Sequence, residues 1–154
     1  MSKAIEILKN PHALLIKLTG ELSIEQLNEV PAGFNNNIIW NMGHIVAAQQ
    51  GLCYKRAGLD TRIDESLFSL YKSGTKPEGF VDSEGVEEIK TLLLDNLEQL
   101  ETDYNNKIFT SYTAFTTRYG VEIGSIDDAI GFLPFHDGLH LGYILALKRV
   151  VLKG

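Results

Sequence analysis

The sequence predicts an all-α fold, a four-helix bundle with a long crossover connection between its second and third principal helices. Three observations predict it. Apolar residues recur at i, i+3 and i+4 along the longer segments. Capping signals open and close those segments. Apolar–polar alternation is confined to one short stretch, residues 115–123.

The elements follow in order. Asn10-Pro11 reads as an N-cap followed by proline at the first helical position, and Gly20 stands where a C-cap glycine belongs. This predicts a first helix from Asn10 to Gly20, with a further turn conceivable around Ala4–Leu8. Ser23 and Gln26 form a capping-box pattern for a short helical turn that Pro31 stops. Asn35-Asn36-Asn37 supplies N-cap candidates for a second principal helix running to about Ala57, with Gly58 as its end. Its inward stripe reads Asn37, Trp40, Asn41, His44, Ala48, Gly51 and Leu52.

Residues 58–82 form the long connection, with Leu67–Tyr71 as a turn of helix and Ser73–Gly79 as a plain loop. Loops of this length in compact domains are often functional, as lids for example. Asp82 or Ser83 caps the third principal helix, whose apolar face is Val86, Ile89, Leu93, Leu97 and Leu100. The aromatic- and threonine-rich stretch 104–124 has room for a short strand pair about Gly120. Ser125 with Asp128 opens the last helix, which reaches about Leu152. Pro134 lies inside it: either it kinks the helix and helps to aim His136, or the helix begins later.

A chain of 154 residues suffices for one domain with its own core, so 1–154 is expected to be a single domain. No apolar run is long enough for a membrane span, and MSKAIEILKNPHALL has no signal-peptide apolar region. The lone Cys53 allows no internal disulfide and reads as core. Together these features fit the cytoplasm. A net charge of −6 with scattered basic residues argues against nucleic acid as a partner. Lys148, Arg149 and Lys153 cluster only where cations complement the end of the last helix.

The histidines carry the chemistry. His136 and His140 are four residues apart, on one helical face with Cβ atoms about 6 Å apart, so both imidazoles can share an ion. They lie in LPFHDGLHLGYILAL, an otherwise apolar segment where an unpaired imidazole would be costly. A third ligand must come from another helix, and His44 lies on the inward stripe of the second. His12, beside Pro11 at the expected start of the first helix, reads as a solvated surface residue. Three neutral nitrogen ligands leave coordination positions open, the mark of a catalytic or substrate-binding site rather than a closed structural one. An open site lets the ion acidify a bound water or thiol. Imidazole suits zinc, nickel and iron alike, so the ligand set does not choose the divalent metal; zinc or nickel is the expectation, with iron a further candidate.

FNNNIIWNMGHIVAAQQGLCYKRAG followed by FHDGLHLGYILALKR resembles the DinB-like family of four-helix-bundle metalloenzymes. The wider superfamily includes bacillithiol- and mycothiol-dependent transferases and isomerases. The resemblance covers nearly the whole chain and is strongest over residues 34–58 and 130–149. It implies a triad of one histidine in the second helix and an H-x-x-x-H pair in the fourth, which falls on His44, His136 and His140. It also implies a homodimer, a small-molecule substrate and a low-molecular-weight thiol cofactor.

Around the triad, Asp137 stands where H-E-x-x-H has its glutamate base, with orienting a ligand or facing solvent as alternatives. Asn41 and Gln49 are candidates to accept a hydrogen bond from a ligating imidazole. Tyr143 could hold a hydroxyl over the open site, and Trp40 would wall it. The leading functional reading is a metalloenzyme activating water or a low-molecular-weight thiol, such as a thiol-dependent S-transferase. A metal-dependent hydrolase and a non-catalytic metal- or ligand-binding bundle are the alternatives.

Overall fold

The computed structural model describes residues 2–153; Met1 and Gly154, the ends of the expected domain, lie outside the described residues. The chain is mostly helical. In order it forms α1 (Lys3–Thr19), the short α2 (Ile24–Asn28), α3 (Ile38–Cys53) and a 3-10 turn (Lys55–Ala57). Then come α4 (Glu65–Tyr71), α5 (Ser83–Asn105), β1 (Phe115–Thr116), β2 (Glu122–Ile123) and α6 (Ile126–Lys153). The long helices α1 and α3 each pack against both α5 and α6. The strands form one small antiparallel hairpin, Phe115 opposite Ile123.

Local chemistry sets the boundaries. Asn37 caps α3 by accepting from the Trp40 amide, Asp82 caps α5 through Gly85, and Ser23 with Gln26 closes a complete capping box on α2. Gly58, at φ 73°, ends the 3-10 turn in a left-handed conformation that few other residues adopt. The second expected helix thus stops at Cys53 and tightens into that turn instead of running on to Ala57.

The first helix differs from expectation. It does not start at Asn10 but runs unbroken from Lys3 through Pro11. Ile5, Leu8, His12, Leu15 and Thr19 form one buried stripe on both sides of the proline. Packing along that stripe outweighs the single hydrogen bond Pro11 removes. In α6 the helix likewise begins at Ile126, ahead of Pro134, which excludes the later start.

The core divides in two. One apolar cluster gathers Leu15, Ile38, Met42, Ile45, Leu93 and Ile144. The other gathers Leu8, Cys53, Tyr54, Leu97, Leu100 and Leu133. Between them on the sequence of each long helix stand buried polar residues: His12 on α1, Gln49 on α3, Asn96 on α5 and Asp137 on α6.

Candidate metal centre

α3 and α6 bring three imidazoles together. One nitrogen from each of His44, His136 and His140 lies within 4.8 Å of the others. Ring centroids are 5.2 Å apart for His44–His136, 4.7 Å for His44–His140 and 4.6 Å for His136–His140. His44 is buried, while His136 and His140 are partly open to a cavity of about 840 Å³.

Each imidazole is held by its Nδ1. That of His44 donates to the Tyr71 carbonyl at 2.8 Å, that of His140 to Asn41 Oδ1 at 2.9 Å, and that of His136 to Asp137 Oδ1 at 3.0 Å. Acceptors on all three Nδ1–H groups fix the tautomer and leave each Nε2 with its lone pair. Nε2 of His136 and Nε2 of His44 then face each other across 3.3 Å. Two facing lone pairs repel unless a cation lies between them. Bonds of about 2.0–2.1 Å in a tetrahedral shell require nitrogens about 3.3–3.4 Å apart. The donor set therefore fits a divalent ion.

The acceptors are themselves fixed. Asn41 donates its amide to Asn36 Oδ1 at 3.0 Å and to the Asn37 carbonyl at 2.8 Å, which turns its oxygen toward His140. The Tyr71 carbonyl reaches His44 because the Tyr71 ring packs on Gly43, where a Cβ would stand 2.5 Å from the ring. Asp137 is buried and accepts twice, from His136 and, through Oδ2 at 2.8 Å, from His12 Nε2. His12 Nδ1 donates to the Leu93 carbonyl at 2.8 Å.

His12 is therefore not a surface residue. It is 4% exposed, and the buried stripe of α1 carries it inward. Asp137 does not face solvent either, and with both oxygens engaged it is not a free base. Trp40 stacks on the His44 ring, centroids 4.9 Å apart and planes 8° apart, and its indole N–H donates to Thr75 Oγ1. Tyr143 lines the cavity and meets Phe34 edge-on. Gln49 bonds the Asn96 carbonyl and Gln50 rather than a triad imidazole.

The electrostatics agree with the geometry. Burial holds the His44 imidazole down to about 4, against the hydrogen bond to the Tyr71 carbonyl, and the Arg118 charge adds to the lowering. Burial, then His136, His44 and Arg118, hold His140 down to about 3. Both rings are neutral at pH 7, as ligands must be. Burial alone would raise Asp137, but hydrogen bonds from His12 and His136 overcome it and hold the carboxyl below its usual range. His12 is raised by Asp137 against its own burial. Burial pushes the Cys53 thiol well up, consistent with an inert core residue.

The sequence reading missed His12, the Tyr71 carbonyl and the basic side chains of the cavity. Only His12 had a signal, its place in the 5-8-12-15-19 stripe. A search among curated proteins finds no match. The sequence profile of the DinB superfamily matches residues 8–144 and so takes in every residue of the histidine cluster and of the hydrogen-bonded shell around it. The chain belongs to the DinB superfamily.

Proposed function

We propose that this chain is a single-domain four-helix bundle that holds one divalent ion, zinc or nickel before iron, on His44, His136 and His140. The observation that carries this reading is the pair of Nε2 lone pairs facing each other at 3.3 Å while every Nδ1–H is engaged elsewhere. The bound ion would supply Lewis acidity to a water or thiol in its open positions. The protein does the rest. Asn41, Asp137 and the Tyr71 carbonyl hold the rings in register, Trp40 covers His44, and the cavity admits a small molecule from the exposed side of the triad.

Between the enzymatic readings, one observation favours transfer of a thiol over hydrolysis. Attack by metal-bound water needs a group to take its proton. Asp137, the carboxylate beside the triad, has both oxygens engaged, and among the described residues no Asp or Glu lines the cavity. A thiol starts far more acidic than water, about 8.5 against 15.7, so on the ion it would release its proton to solvent and become thiolate without such a base.

His44→Ala should abolish tight zinc binding and leave the helical circular dichroism intact; unchanged affinity would remove the triad reading. The zinc-loaded protein, given a panel of low-molecular-weight thiols and monochlorobimane, should form the thioether faster than the metal-free protein. Equal rates would exclude the transferase.

A further inference from the structure

We propose that the cavity beside the triad takes a small organic anion, a compact apolar body bearing a carboxylate or phosphate group, gripped by Arg118 and Lys72 near the histidines and by Arg56 at the far end. The inference deepens the metal reading and rests on it for what the anion would meet.

Charge is the first argument. Acidic residues outnumber basic ones by 20 to 14 across the chain. The cavity wall reverses this: among the described residues it contains Lys55, Arg56, Lys72 and Arg118 and no Asp or Glu. Of these four, Lys55 alone pairs with a carboxylate, Glu65 at 2.8 Å. Arg56, Lys72 and Arg118 enter no ion pair among the described residues.

Placement is the second. Arg118 sits in the turn joining β1 to β2 and lines the same cavity as His44, His136 and His140. Lys72 follows Tyr71, whose carbonyl holds His44. Arg56 lies beyond the end of α3, its guanidinium carbon 4.0 Å from the centroid of the Phe115 ring. That contact seats the cation against an apolar wall, and its N–H groups enter no ion pair among the described residues, which suits a bidentate oxyanion. Phe68, Phe115 and Phe132 supply the apolar surface between. Three neutral imidazoles would leave an ion's double charge uncompensated, adding to the same field.

The test is titration calorimetry on zinc-loaded protein in phosphate-free buffer, using 4-phenylbutyrate, phenyl phosphate and the neutral 4-phenylbutyramide. Each anion should bind at least tenfold tighter than the amide and weaken with added salt. Arg118→Gln should weaken both anions about tenfold, the loss of one hydrogen bond to a charged group. Glu65→Gln frees Lys55 and should tighten them severalfold, a gain that misfolding cannot mimic. Amide binding equal to anion binding, or affinity indifferent to both Arg118→Gln and Glu65→Gln, would overturn the proposal. His44→Ala separates the two readings. Anion preference sensitive to Arg118 in a protein that takes up no zinc leaves the cationic wall standing without the metal. Tight zinc binding with no charge preference does the reverse.

Discussion

Asp137 is a buried carboxylate accepting from two imidazoles on two helices. Removing one partner of such a group strands the other, at a cost of about 3–5 kcal/mol. His12→Leu should therefore destabilise the protein by that order in urea denaturation. His12→Gln, whose amide can still donate to Asp137, should recover part of the loss; a merely space-filling His12 would make Gln no better than Leu. Asp137→Asn keeps the shape but not the charge. It should lower zinc affinity about 10- to 100-fold in chelator competition, the usual effect of loosening a ligand's support. The triad itself was legible in the sequence, because i, i+4 spacing and the inward stripe of α3 are local geometry. The Tyr71 carbonyl was not: it is a backbone acceptor 27 residues from His44, placed by where the connection returns.

At the scale of elements, the two internal prolines test how far packing overrides local preference. Asn10-Pro11 has the form of a helix start, yet α1 continues through it because its buried stripe does. Pro11 thus stands in a helix interior, where alanine is favoured by about 3 kcal/mol, partly offset by the stiffer unfolded chain of proline. Pro11→Ala should stabilise the protein by about 1–2 kcal/mol. A destabilising or neutral outcome would mean that α1 effectively begins at Pro11. Caps that rest on one side chain and one amide were readable at Asn37, Ser23 and Asp82. Helix starts that depend on tertiary burial were not. The hairpin 115–123 was visible as a partial alternation, but its role in carrying Arg118 to the cavity is a property of the folded chain.

For the whole molecule, the triad makes stability depend on pH. In the metal-free protein His44 and His140 take up protons only near about 4 and about 3, against an ordinary 6.5 once unfolded. Below pH 6.5 the unfolded chain binds more protons, so stability present at neutral pH is lost as the pH falls toward 4. At about 1.4 kcal/mol per unit, the two rings account for a loss on the order of several kcal/mol. Asp137, lowered from 3.8, keeps its contribution until the pH drops below that window. His12, raised, contributes fully below 6.5 and loses its share as the pH climbs past its folded value. Urea midpoints of metal-free protein should therefore fall between pH 7 and 4.5, and a flat profile would refute the assignment. Zinc should raise the midpoint at pH 7, since it binds the native state alone. No helix of the described residues is long and apolar enough to cross a membrane.

The chain of contacts from His136 through Asp137 and His12 to the Leu93 carbonyl strings α6, α1 and α5 onto the histidine cluster. Among the described residues, α1 and α5 add no histidine to that cluster. The first helix is thus a tether as well as a wall: peeling it away would let an imidazole on the opposite element swing loose.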